Sequence, residues 1–142
     1  MCLIALLVGC NVVAHRGYYK GFGASAWVHS IPFGQGGTNY FELKKSKVVR
    51  GLITASTTVK GSIYVSIFCF PSEPPVFAEP DAIVEFPDGR KRLVKASDKM
   101  DIRGLEADSF RLKLPSFRLQ GVEFPSLVAD FVWDEETKYF VR

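Results

Sequence analysis

An all-β fold is what the sequence predicts: an antiparallel β-sandwich, immunoglobulin-like or related, or a small barrel, with at most one short helix. Three observations carry this expectation. Apolar residues recur at period two in several stretches, Gly and Pro clusters punctuate them, and no stretch sustains a long helical period.

Thr38 to Lys44 and Val48 to Val59 are rich in Thr, Val, Ile and aromatic residues, which suit a pleated surface. Lys60-Gly61 is placed to turn the second of these back onto Ser62–Phe70. That strand is apolar on both faces, with Ile63, Val65, Ile67 and Cys69 on one and Tyr64, Phe68 and Phe70 on the other. Such a pattern fits a strand covered on both sides. Pro71 to Pro80 holds four of the eight prolines and reads as a crossover between sheets. Asp81–Phe86 and Arg90–Lys95 flank Pro87-Asp88-Gly89. Asp-Gly supplies the backbone angles of a tight hairpin turn. Ser97 to Ala107, with Gly104 inside it, is the one helix candidate. Phe110, Leu112 and Leu114 alternate with Ser109, Arg111 and Lys113, and Leu127, Ala129, Phe131 and Trp133 with Val128, Asp130 and Val132. Asp134 to Thr137 then reads as a turn into Tyr139–Val141.

Composition bounds the rest. The 142 residues are 47% hydrophobic and 13% aromatic, enough for one domain with a core of its own and too apolar for a disordered tail. No run reaches the roughly 18 apolar residues of a spanning helix. The formal charge of +3 is modest and demands no nucleic-acid partner.

The first ten residues, Met1 to Cys10, are apolar, and the first charged side chain is Arg16. An apolar terminal segment of this kind is the core of an export signal. Its end, Leu7-Val8-Gly9-Cys10, resembles the lipobox of bacterial lipoproteins, in which aliphatic and small residues precede a Cys. The resemblance implies that Cys10 is thioether-linked to diacylglycerol and that the preceding segment is removed. It divides the chain into a signal segment (1–9), a tether (10–20) and one β domain (21–142). It also implies a location in the cell envelope, on the periplasmic face of the inner or outer membrane. Two or three acyl chains hold a protein stably where one does not. The same residues admit two other readings: an apolar first strand packed in the core, or cleavage after Ala14 without lipid.

Of the remaining cysteines, Cys2 leaves with the signal and Cys69 sits in an apolar run, where a thiol packs as a small hydrophobe. Without lipidation, a Cys10–Cys69 disulfide is open. His15 and His29 are isolated, so no zinc site is expected. No calcium loop, phosphate-binding loop or nucleophile elbow occurs. No cofactor, metal or catalytic residue is assigned.

Two features are candidates for binding. Phe33-Gly34-Gln35-Gly36-Gly37 is a Gly-rich loop rimmed by Trp27, Phe33 and Tyr40. Two basic clusters, Lys44, Lys45, Lys47, Arg50 and Arg90, Lys91, Arg92, Lys95, are candidate contacts to an anionic surface. The expected function is that of a membrane-anchored envelope lipoprotein whose β domain binds a protein partner or stabilises an assembly. The alternatives are an envelope hydrolase acting on glycan or peptidoglycan, which needs two carboxyl groups about 5–10 Å apart in a cleft, and a small-molecule or lipid carrier, which needs an apolar cavity.

Overall fold

Period-two alternation builds two five-stranded sheets around shared apolar faces. The computed structural model describes residues 11–22, 28–30, 37–44, 50–57, 59–70 and 72–141, and every regular element among them is a β-strand. The first sheet runs β1 (Asn11–Phe22), β13 (Leu127–Val141), β10 (Ser109–Leu114), β7 (Asp81–Glu85), β8 (Lys91–Lys95). The second runs β2 (Val28–Ser30), β3 (Gly37–Lys44), β4 (Arg50–Thr57), β5 (Ile63–Phe70), β9 (Lys99–Ile102). A small sheet holds β12 (Val122–Phe124), β11 (Phe117–Leu119) and β6 (Val76–Phe77). Every pairing among the described strands is antiparallel. The architecture is a β-sandwich and not a closed barrel.

One buried cluster joins the sheets. The first contributes Val84, Phe110, Leu112, Leu114, Ala129 and Phe131; the second contributes Ile53, Ile63, Val65, Ile67, Met100 and Ile102. The small sheet adds Phe117, Leu119 and Phe124 to the same cluster. Each such side chain stabilises the fold by about 1.5–3 kcal/mol relative to exposure. The turns use the expected residues: Gly89 has φ +89° between β7 and β8, and Gly61 has φ +91° between β4 and β5. The proline-rich segment carries the chain from β5 in one sheet to β7 in the other by way of β6, as a crossover does.

Several expectations are corrected. Residues 11–20, read as a tether, belong to β1, which pairs with β13 from Asn11↔Val141 to Phe22↔Asp130. Its aromatic residues explain this: Tyr18 and Tyr19 are buried, and Tyr19 is fully so. Asp134 to Thr137 is not a turn but the middle of β13. It contains no glycine, and it lies opposite His15–Tyr18 of β1, whose pairing keeps it extended. Ser97–Ala107 is not helical. Met100 and Ile102 are buried while Lys99 and Asp101 are exposed, a period of two, and Gly104 at φ +71° ends the strand. The second face of β5 is covered only in part, since Ser66 is buried while Tyr64 and Phe68 are exposed.

β1 is the edge of the first sheet, yet its free edge is closed at Tyr19 and Gly21. Tyr19 N–H donates to Thr57 Oγ1 at 3.1 Å, and Gly21 N–H donates to Asn39 Oδ1 at 2.8 Å. Asn39 Nδ2 donates to the carbonyls of Tyr19 (2.8 Å) and Ala55 (3.1 Å). Asn39 and Thr57 are buried side chains of β3 and β4, so the second sheet satisfies the backbone of the first. A little further along, Gly37 lies against Tyr18, where a Cβ would come within 2.7 Å of the ring's Cγ.

Replacing Asn39 by Ala removes the partner of the buried Gly21 N–H and of the Tyr19 carbonyl and is expected to cost about 3 kcal/mol in denaturant unfolding. Asn39→Asp is expected to be at least as damaging at neutral pH, because a carboxylate cannot donate to either carbonyl. It should recover part of its loss on acidification, as a protonated carboxyl regains one donor. Equal stability of Asn39→Asp and the parent chain at pH 7 would contradict this role.

Candidate functional site: the charged outer face of the first sheet

Where Phe110, Leu112, Ala129, Phe131, Ala82 and Val84 face the core, their sequence neighbours must face outward. The register aligns these outward residues in rows. Asp130 of β13 lies opposite Arg111 of β10, Arg111 opposite Glu85 of β7, and Glu85 opposite Lys91 of β8. One step along the strands, Val128, Lys113, Ile83 and Leu93 form a second row. Arg111 Nε donates to Asp130 Oδ1 at 2.7 Å and Nη2 reaches Oδ2 at 3.3 Å. Lys113 Nζ stands 2.8 Å and Lys91 Nζ 3.6 Å from Glu85 Oε1. Beside these charges is a solvent-open depression of about 270 Å3 whose walls include Phe22, Phe86 and Pro87.

The electrostatics follow from this geometry. The hydrogen bond from Lys113, reinforced by the charges of Lys113 and Lys91, holds the Glu85 carboxyl below the usual glutamate range. The bond to Asp130 raises the Arg111 guanidinium further above its already high value. Glu85 and Asp130 therefore flank the Arg111 guanidinium, and the surroundings of Glu85 favour its ionised form. A glycosidase needs one carboxylic acid whose pKa is raised so that it can donate a proton. Glu85 is shifted in the opposite direction, so this pair is suited to salt linkage and not to acid catalysis.

A second charged group sits where β4 turns into β5. Lys60 Nζ is 3.1 Å from Asp108 Oδ1 and 5.4 Å from the centre of the Trp133 ring. Trp133 Nε1 donates to Glu135 Oε1 at 2.8 Å. Beneath them, the Tyr19 hydroxyl donates to the Ala107 carbonyl (3.1 Å) and accepts from Gly61 N–H (3.2 Å). Desolvation raises the Tyr19 pKa. Tyr19 is fully bonded and edge-on to Phe110 and Trp133, so it braces the structure and carries no reactive hydroxyl.

The residues singled out in the sequence fall in different places. Cys10, Trp27, Phe33, Gly34, Gln35, Gly36, Lys45 and Lys47 lie outside the described residues. Gly37 and Tyr40 belong to β3; Gly37 packs on Tyr18, and Tyr40 is half-buried opposite Val28 and Thr54. Lys44 ends β3 opposite Arg50. Arg90, Lys91 and Arg92 lie at the β7–β8 hairpin, which shares its end of the sandwich with the β4–β5 turn. Lys44 and Arg50, where β3 ends and β4 begins, lie at the opposite end of β4 from that turn. The hairpin charges are also partnered: Arg90 pairs with Asp88, Lys91 with Glu85, and Arg92 Nη1 donates to the Arg103 carbonyl. Among the described residues, Lys95 and Lys99 form no ion pair. Cys69 is half-buried, with its thiol 3.2 Å from the Glu73 carbonyl.

The row of Glu85, Arg111, Asp130 and Lys113 was not singled out from sequence. Alternation puts each on an outward face, but only long-range register aligns them. Among the described residues no group of His, Cys, Asp and Glu is arranged to hold a metal, and no helix is long and apolar enough to cross a membrane. No protein-family model, curated protein sequence or solved structure matches the chain.

Because folding lowers the Glu85 pKa, its stabilising effect is present above the ordinary glutamate range and is lost as pH falls through the lowered value. Glu85→Gln should therefore be less stable than the parent near pH 7, and the gap should close between about pH 6 and about pH 3. A gap that stays constant over that interval in denaturant titrations would contradict the ion pairing.

Proposed function

We propose that the chain is a membrane-anchored envelope lipoprotein whose β-sandwich works by binding, holding or stabilising a protein assembly at the bilayer surface without catalysis. The observation that supports it is Leu7-Val8-Gly9-Cys10 standing directly before a folded β domain. Acyl chains on Cys10 would contribute about 0.8 kcal/mol per buried methylene, and more than one chain is needed for stable anchoring. β1 begins at Asn11, so an anchor on Cys10 adjoins the sheet without intervening tether. The domain would then be held close to the lipid surface by the β1–β13 ribbon. Confinement to a plane raises the effective concentration of a binder toward partners in the same membrane without any new contact.

A binding role is favoured over the hydrolase by Glu85 and Asp130, which are paired with Lys113 and Arg111, and by the lowered pKa of Glu85, the opposite of what an acid catalyst needs. The periplasmic face is the expected location, since lipidated exported proteins reside there.

Intact-mass measurement on the protein from a membrane fraction tests the anchor. The expected species lacks everything before Cys10 and carries acyl mass on that residue, and Cys10→Ala should leave the membrane fraction. An unmodified Cys10 in mature protein, or a Cys10→Ala chain that still fractionates with membranes, would overturn the reading.

A further inference from the structure

The outer face of the first sheet carries a pattern that is complementary to itself. Across the strands β13, β10, β7 and β8, the first row reads Asp130, Arg111, Glu85, Lys91, which alternates in charge. The second row reads Val128, Lys113, Ile83, Leu93. Its two ends are exposed apolar side chains, Leu93 at 65% and Val128 at 42%.

We propose that this face is a contact surface between two copies of the chain, related by a two-fold axis running parallel to the strands between β10 and β7. That operation exchanges β10 with β7 and β13 with β8. Arg111 of each copy then lies over Glu85 of the other, and Asp130 over Lys91. The same operation lays Leu93 over Val128 and Ile83 over the aliphatic stem of Lys113. An isologous contact requires such reciprocity. The other in-plane axis, across the strands, lays the first row on the second. It sets Arg111 against Lys113 and Asp130 against Val128, which loses both the charge and the apolar matches. Packed sheets cross at about 30°, so the match is closest for Arg111 and Glu85, which flank the axis.

The area is small. Four strands about 4.8 Å apart and about five residues long give on the order of 300 Å² per copy, against about 800 Å² for a standard interface. The contact is therefore weak between free copies and is strengthened when both are confined to one surface. An axis parallel to the strands puts both β1 starts at the same end. The strengthening by confinement and the use of a common end for both β1 starts rest on the anchoring reading; the complementarity of the face does not.

Two experiments test the proposal. In the first, the full-length Cys10→Ser chain is kept monodisperse in a nonionic detergent and followed by sedimentation equilibrium. The expected result is a monomer–dimer equilibrium that weakens with salt. Lys91→Glu and Asp130→Lys should each raise the dissociation constant at least about tenfold, the equivalent of about 1.4 kcal/mol, and their equimolar mixture should restore it. Leu93→Glu, at an exposed site, should also weaken the dimer without affecting the fold. In the second, the chain carrying Leu93→Cys and Val128→Cys is oxidised in its native membrane. The two positions are three strands apart, about 14 Å, too far for a disulfide within one chain. A covalent dimer on a non-reducing gel is expected from the double variant and not from Val128→Cys alone. A monomer at all concentrations to about 1 mM, self-association indifferent to the charge exchange, or equal crosslinking by the single variant would overturn the proposal. Because the first experiment lacks lipid, its failure is separate from failure of the anchoring reading.

Discussion

The structure depends on how the edge of β1 is closed. An edge strand leaves backbone donors and acceptors unpaired, and buried ones each cost of order 1–3 kcal/mol. Here Asn39 and Thr57 supply the missing partners from the second sheet, with the amide of Asn39 imitating a neighbouring strand by accepting from Gly21 and donating to Tyr19. One side chain thus ties β1, β3 and, through Ala55, β4. The two sheets meet at this corner by hydrogen bonds as well as by apolar contact, and the corner is closed to another strand.

Around this corner the packing is specific. The Tyr19 hydroxyl joins the β4–β5 turn at Gly61 to the approach to β10 at Ala107. Trp133 lies over Gly17, where any side chain would collide with the indole ring. Aromatic coverage of a strand glycine restores the contacts that the glycine lacks. β13 is thereby held against β1 on one side and β10 on the other, and the outward positions of β13 and β10 stay in register with β7. The alignment of Asp130, Arg111 and Glu85 is a consequence of that bracing. Exposed ion pairs contribute little stability individually, so the row is better read as a patterned surface than as a support for the fold.

The fold class, the β7–β8 hairpin, strand β10 and the Leu127–Trp133 part of β13 were legible because their signals are local. Asp88-Gly89 encodes its turn, and the alternation of Phe110, Leu112 and Leu114 is that of a half-buried strand. Gln120-Gly121 joins β11 to β12 with both residues at positive φ, a two-residue turn whose glycine was visible in the sequence but whose flanking runs were too short to stand out. What was not legible is long-range. Asn11 to Lys20 looks like a tether because it follows the apolar segment and its polarity is mixed, and it becomes a strand because β13 lies beside it. Asp134 to Thr137 looks like a turn because it is charged, and it stays extended because it lies in register with His15–Tyr18. Asn39 gives no sign of burial until the β1 backbone is placed against it. The alignment of Asp130, Arg111 and Glu85 fails for the same reason, since the steps between them are 19 and 26 positions long.

The anchoring reading uses β1 as a rigid part of the sandwich, one residue removed from Cys10, and not as a flexible lead. The most direct test is amide hydrogen exchange at Tyr19 and Gly21, followed by NMR. The account requires both to exchange as slowly as the amides of the central strand β10, through global unfolding alone, because their acceptors Thr57 and Asn39 are buried. Exchange of both at the rate of an open sheet edge would contradict it.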